Sequence, residues 1–469
     1  MKRIAQSLVM TLVTFSIQAQ QVNYPSLTVF DKGSTELIRD LKDQKDEEIK
    51  EQRIPTSSDY ASVYDQTTDY LINLVENEKF INDDEIQAYI DEINEKLTIH
   101  NPEVKKIKKL LIARDGLQNA ISYGEGTVSI NLGLIAQAES EDMIAFILAH
   151  ERAHYHLNHL RKRIDSHLRR ASTRSVERRI KKIPEGTMTL EDLEYVQYWF
   201  STMFMKSRGN ELEADSLALL MLKNSGYSVH ASIEALKKLK SAYHPIYPLK
   251  TSLFDAFIFK EIPFKKRWLT PRKALQADDL FRHLLNNDSI ETHPDLDLRV
   301  QRIIAETMNT APRTSTPIPS NLKSVSHNNL VDCFYETKFY DLGIHHALQL
   351  KAQADNKSYF DFEIGRMLYE IALAKNDKIL PGVIRINIDH YPDETKALNY
   401  FLYNLTVAEA AEISYLYVKK NFDPQNPDHY RVLHNILLIT NRFSEDKELR
   451  KKFRKTFSGE SLNKYSDAD

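Results

Sequence analysis

The sequence predicts a mainly α-helical chain of at least two domains, with one small β-sheet or hairpin. Length is the first reason, because 469 residues are too many for one ordinary compact domain. Glycine is the second: the chain has 12, against about 30 at average usage, and so few flexible turns suit long helices better than an all-β design. Periodicity is the third, since apolar residues recur at helical spacing along most of the chain and strand signals gather in one stretch. Hydrophobic residues at 42% and charged residues at 28% support a sizeable core and exclude wholesale disorder, a polytopic membrane protein and a disulfide-dense miniprotein. Lys and Arg total 63 against 66 Asp and Glu, a net charge of −3, which excludes nucleic-acid binding by bulk charge.

The first element is an address. Lys2 and Arg3 precede an apolar run centred on Leu8–Phe15, and Ala19 precedes the polar Gln20-Gln21. A basic start, an apolar stretch too short for a comfortable span and a small residue at the cut make residues 1–19 a secretory signal peptide. Its removal takes away Lys2 and Arg3 and moves the net charge from −3 to −5. No cysteine follows the run, so a lipoprotein anchor is not expected, and Cys333 as the single thiol cannot form an intrachain disulfide. No later stretch approaches 18 uninterrupted apolar residues, so the expected product is soluble and exported, periplasmic in a two-membrane bacterium or else secreted.

Residues 20–50 are polar and charge-dense and read as an arm or a solvated helix. A first domain is expected over 51–306. In it Ile86, Tyr89, Ile90, Ile93 and Leu97 have helical spacing, Lys109–Ala113 reads as a strand, and Asn119–Tyr123, the Gly124-Glu125-Gly126 turn and Thr127–Asn131 read as a hairpin. Ser140 followed by Glu141 and Asp142 is a helix start, a cap and then acids at the positive end of the dipole. From Arg161 to Lys182 ten basic residues face only Asp165 and Glu177. That segment reads as a solvated face or lid, with contact to anionic lipid headgroups as the sharper alternative, so membrane contact is at most peripheral. Residues 307–329, with Pro312, Pro317 and Pro319 among Ser, Thr and Asn, read as a linker. Residues 330–469 read as a helical C-terminal domain; paired helices of the tetratricopeptide kind are one candidate, though no clean repeat period fits.

The chemistry lies in His150-Glu151-Arg152-Ala153-His154. On a helix, positions i and i+4 lie roughly 40° apart, so both imidazoles face one metal, and Glu151 flanks it where it can take a proton from water. Zinc prefers neutral imidazole nitrogen, needs a third protein ligand and leaves one position open. Met143, Ile144, Ile147 and Leu148 supply the helix's core-facing stripe. Leu157 and Leu160 stand where a metzincin needs Gly and His, and His156 and His159, which point away on a straight helix, read as surface or packing residues. The third ligand is sought in Glu211-Leu212-Glu213-Ala214-Asp215, where Glu211 and Asp215 share a face at i and i+4. One of these carboxylates binds zinc while the other fixes the tautomer of a ligand imidazole.

This helix followed by E-x-x-A-D resembles the gluzincin-like zinc peptidase family of HtpX, the CAAX prenyl endopeptidases and the mitochondrial OMA-type proteases, and within it the BepA-like periplasmic metalloproteases. Asn119-Ala120, the Gly124-Glu125-Gly126 turn and Gly133-Leu134-Ile135 are similar to the family's hairpin and following helix. The resemblance, over roughly residues 60 to 305, implies a zincin-like metallopeptidase domain followed by the helical C-terminal domain. It also implies one zinc per chain on His150, His154 and Glu211, with Glu151 as general base and Asp215 behind the ligands. Thr292-His293-Pro294 with Arg299 resembles a further family feature, in which His293 is an oxyanion partner or an inhibitory extra ligand; a neutral structural histidine is the alternative. Arg152 is charged where the family usually has an apolar residue, and residues 247–290 look like an insertion.

The expected function is therefore exported, zinc-dependent endopeptidase activity on misfolded or envelope polypeptides, with Asn119, Ala120 and Ile121 as the edge strand that pairs with substrate. What the resemblance implies for partners is outer-membrane assembly components reached through the C-terminal helices. Two rivals stand beside it: a chaperone or protein-binding scaffold with latent protease activity, and a zinc hydrolase of non-peptide amides.

Overall fold

The structure is a computed structural model. It describes residues 27–55, 59–171, 208–242, 248–271, 296–352, 357–385 and 393–457, with a few single positions between them. Residues 1–19, read above as a signal peptide, Thr292-His293-Pro294 and the basic stretch beyond Ala171 lie outside the described residues.

The fold is mainly helical with one four-stranded sheet, as the glycine count and the periodicity predict. Helices α1 (Thr35–Glu51) and α2 (Asp59–Glu76) lead to β1 (Phe80–Ile81), α3 (Asp84–Ile99), β2 (Lys109–Ala113), β3 (Ala120–Ser122) and β4 (Thr127–Asn131). Sheet order is β1-β2-β4-β3: β1 and β3 run antiparallel to their neighbours, and β2 pairs β4 in parallel from Lys109↔Thr127 to Ala113↔Asn131. The hairpin arm β3 is thus an edge strand of this sheet.

Helix α4 (Leu132–Gln137) leaves β4 directly, and α5 (Glu141–His156) follows as the central helix. Every residue of α5 from Asp142 to Tyr155 is buried, as expected of a helix covered on all sides. Its N-terminus departs from the sequence reading: Ser140 has extended backbone but makes no side-chain cap bond. The Asp142 carboxylate instead accepts from the amides of Ser228 (2.6 Å) and Thr316 (2.7 Å), which ties two distant segments to the first turn. After α6 (His159–Ala171) come α7 (Arg208–Asn224), α8 (Ala231–Lys240) and α9 (Leu296–Thr307). Their apolar faces join α3, α4, α5 and β4 in one cluster that includes Ile90, Ile130, Phe146, Leu222, Leu236 and Ile303.

Three segments sit otherwise than their composition suggested. The charge-dense arm folds into α1, whose Leu37 and Leu41 pack on Leu71, Phe80 and Leu111. Glu48 is fully buried there and accepts from Tyr155 of α5 (2.7 Å), so this is a structural helix rather than a solvated one. The proline-marked linker contains α10 (Ser320–Asn328), and Ile318 and Leu322 belong to the same core as α5, as do Leu330, Cys333 and Phe334 of the next helix, α11 (Leu330–Glu336). Proline disfavours helix interiors but not the turn before a helix, and Pro319 stands at the N-cap of α10. The apparent insertion joins the C-terminal helices: Phe257 and Trp268 are fully buried in one cluster with residues of α12 (Tyr340–Lys351), α13 (Lys357–Asn376), α14 (Asp393–Asn404) and α15 (Val407–Lys420). There Phe257 stacks on Phe401 with ring centroids 4.3 Å apart. Helices α16 (Pro427–Ile439) and α17 (Phe443–Thr456) close the chain in a further cluster around Tyr430 and Phe453.

Gly133 marks the tightest approach in this scaffold. A Cβ at this position would lie 2.1 Å from the Gly116 carbonyl oxygen and 2.6 Å from that of Leu117, and backbone cannot swing aside as a side chain does. Gly133→Ala is expected to lower stability by at least about 1–3 kcal/mol in urea denaturation, and an unchanged midpoint would contradict this packing.

Candidate metal centre

Helices α5 and α7 lie against each other, and their facing polar residues meet below the edge strand β3. His150, Glu151, His154, Glu211 and Asp215 are all buried. His150 Nε2 and His154 Nε2 are 3.0 Å apart, and the Glu211 carboxylate reaches both, at 3.5 Å and 3.1 Å respectively. The i, i+4 spacing does what helical geometry requires, and α7 brings the acid from a segment 57 residues further along the chain than His154.

The other ring nitrogen decides the chemistry. His150 Nδ1 lies 3.0 Å from Asp215 Oδ1, an acceptor that favours a proton on Nδ1 and leaves Nε2 as the ring nitrogen facing His154 and Glu211. Burial pulls the pKa of His150 down, but the hydrogen bonds of Asp215 and Glu211 outweigh it and raise it. Asp215 is affected in the opposite sense: burial would raise its pKa, and His150 and Arg299 hold it low. Arg299 of α9 forms a fork on Asp215 (2.8 and 2.7 Å) and donates to Glu211 Oε2 (2.6 Å), with all three side chains buried. Arg163 of α6 also feels the charges of Glu211 and Glu151, while burial lowers its own pKa.

Glu151 takes a different position. Its Oε2 accepts from the Ser122 amide of β3 (3.0 Å), and its Oε1 lies 4.0 Å from His150 Nε2. His150, Glu151 and His154 each offer a ligand atom within 4.8 Å of the others. Glu211 lies nearer than Glu151 to His150 Nε2, at 3.5 Å against 4.0 Å, and Glu151 is drawn toward the strand. Ligands at about 2.0–2.2 Å on a tetrahedral zinc sit about 3.3 Å apart. His150 Nε2 and His154 Nε2 lie 3.0 Å apart, Glu211 Oε1 lies 3.1 Å from His154 Nε2 and Glu211 Oε2 lies 3.5 Å from His150 Nε2, so two imidazoles and one carboxylate fit zinc in number and kind.

The register of β3 refines the expected substrate strand. Tyr123 N donates to Thr127 O and Asn131 N to Asn119 O, so Asn119, Ile121 and Tyr123 turn their hydrogen-bonding groups toward β4. Ala120 and Ser122 turn theirs to the open edge, with the Ser122 amide already engaged by Glu151. Of the residues read as the edge strand, Ala120 is therefore the one whose backbone faces outward, and Ser122 joins it.

Two further residues bear on the motif helix. Arg152, at a usually apolar position, is fully buried and stitches α5 to the α3–β2 connection by donating to the carbonyls of Lys105 (2.8 Å), Val104 and Asn101 (3.3 Å). His159 is no surface residue. Asn158 adopts φ of 53°, the helix turns, and the His159 ring returns to His154, with Nδ1 to Nδ1 at 2.7 Å. Burial, against the pull of Glu213, brings its pKa down to about 4, so the imidazole is neutral at pH 7. Asn is among the few residues that enter the left-handed region readily, and it was the signal available in the sequence. His156, by contrast, is half-buried and accepts from the Lys105 amide (3.1 Å).

Residues 81–307 match peptidase family M48. The chain carries an M48 peptidase domain. The match begins in β1 and ends with the last residue of α9, so the M48 domain includes every residue of the centre described above, Arg299 among them. A Vibrio cholerae serotype O1 protein named for a beta-barrel assembly-enhancing protease is 27% identical over 187 residues. That similarity spans 37% of this chain and 37% of the relative. Helices α1 and α2 precede the M48 match and α10 and α11 follow it, yet their residues pack against it. Among the described residues no helix is long and apolar enough to cross a membrane.

Proposed function

We propose that this protein is an exported zinc endopeptidase that hydrolyses extended or misfolded polypeptide in the cell envelope. The observation that carries the reading is the convergence of two imidazole Nε2 atoms and the Glu211 carboxylate beside a second carboxylate, Glu151, which is held against an open strand edge. Zinc held by His150, His154 and Glu211 supplies a Lewis acid that polarises the scissile carbonyl and acidifies water. Glu151 takes the proton from the attacking water and returns it to the leaving amine. Ala120 binds an extended substrate through its outward amide and carbonyl, and the Ser122 carbonyl adds a further acceptor, a mode that reads backbone more than side chains. Asp215, locked by Arg299, keeps the Nδ1 proton of His150 in place. Export rests on the signal-like residues 1–19, a role in beta-barrel assembly is carried over from the relative's name, and outer-membrane assembly components as partners come from the family resemblance.

The wild-type protein is expected to bind one zinc and to cut casein until a chelator is added. His150→Ala and Glu211→Ala should purify without the metal, measured by elemental analysis. Zinc at wild-type level in Glu211→Ala would refute the donor set, and casein cleavage indifferent to chelation would refute the chemistry. Zinc binding without any casein cleavage would favour the non-peptide hydrolase.

A further inference from the structure

The donor set leaves one question that Asp215 does not answer. Asp215 stands at Nδ1 of His150, whereas at Nδ1 of His154 stands another imidazole, His159 Nδ1 at 2.7 Å. Two ring nitrogens this close share one proton, and the direction matters, because His154 can ligate through Nε2 only if its own Nδ1 carries the proton. The far side of His159 settles it. His159 Nε2 lies 3.2 Å from Glu213 Oε2, an acceptor that demands a proton on Nε2. A neutral imidazole protonated there offers a lone pair at Nδ1, which accepts from His154. Lys162 also binds Glu213 Oε2 (2.8 Å) and keeps the carboxylate in place.

We propose that His159 is a positioning residue for the metal, accepting a hydrogen bond at Nδ1 from the Nδ1–H of His154 and donating one from its own Nε2–H to Glu213, in a histidine–histidine–carboxylate chain. The two ligand imidazoles are then oriented by different means, His150 by an arginine-clamped aspartate in the core and His154 by a second histidine whose carboxylate is exposed to solvent. The inference rests on the zinc reading of His150, His154 and Glu211.

The test is zinc affinity of the metal-free full-length protein, by competition with a chromophoric chelator. Leu and Asn have nearly the same size, but the Asn Oδ1 falls where His159 has Nδ1 and can accept, whereas Leu cannot. His159→Leu is expected to weaken zinc binding by about 10- to 100-fold, the usual effect of losing a partner behind a metal ligand, and His159→Asn to stay within about threefold of wild type. Glu213→Gln, on an exposed side chain, should weaken it by about two- to fivefold. Wild-type affinity in His159→Leu, or equal losses in the Leu and Asn variants, overturns the chain while the zinc site stands. Should His159→Leu fail to fold, His159→Asn and Glu213→Gln carry the test, and failure of either expectation overturns it. A wild-type protein that binds no zinc removes the zinc reading and this one together.

Discussion

Glu151→Gln is expected to bind zinc as tightly as the wild type and to lose about 10²- to 10⁴-fold in kcat on casein. The two halves of that result come from different atoms. On the proposed reading zinc is held by His150, His154 and Glu211, whose mutual distances do not involve Glu151, and a glutamine oxygen can still accept from the Ser122 amide that holds the side chain in place. What the amide cannot do is take a proton from water and deliver it to a leaving nitrogen. Metal content by elemental analysis and turnover on an unfolded substrate therefore separate the roles. If Glu151→Gln lost its zinc, Glu151 rather than Glu211 would be a ligand; if it cut casein at the wild-type rate, the base would lie elsewhere.

The parts of this centre that were legible in the sequence are those fixed by helical geometry alone. His150 and His154 meet because they are four residues apart on one helix, and Glu211 and Asp215 reach the same pair of imidazoles, at Nε2 and Nδ1 respectively, for the same reason. Reading failed where the chain changes direction. His159 was placed by extending a straight helix through Asn158, whose positive φ swings it back to His154. The proline-marked connection is a related case. Pro312, Pro317 and Pro319 mark an irregular backbone, but not whether that backbone is free, and Asp142 and the apolar Ile318 and Leu322 fasten it to the catalytic core. Truncation after about residue 321 would therefore remove Leu322, Leu330 and Phe334 from the M48 core, and loss of activity in such a variant would report unfolding before it reported a lost appendage. Phe257 and Trp268 are a further case, since both rings pack on Phe401, more than 130 residues further along the chain.

Arg299→Leu is expected to be the most destabilising substitution in the site, by about 3–5 kcal/mol in the metal-free protein. Arg299 donates to Asp215 and Glu211 at once, and all three are buried, so its loss strands two carboxylates that cannot reach solvent. The same burial gives the prediction a signature that simple cavity formation lacks. Zinc places positive charge beside Glu211, so saturating metal should restore part of the lost stability, and the gap between wild type and variant should be wider in chelator than in zinc. A leucine cavity would cost the same in both. Arg299→Lys should recover less than charge alone suggests, because an ammonium cannot form the two parallel bonds that hold Asp215. With Asp215 free to rotate, the Nδ1 proton of His150 loses its fixed acceptor, so zinc affinity should fall in Arg299→Lys even where the protein is folded. Thermal melts with and without zinc, beside a chelator titration, would measure both effects. A variant as stable as wild type in chelator would mean that Glu211 and Asp215 carry no charge that needs Arg299, and the electrostatic account of this centre would have to be rebuilt around protonated acids.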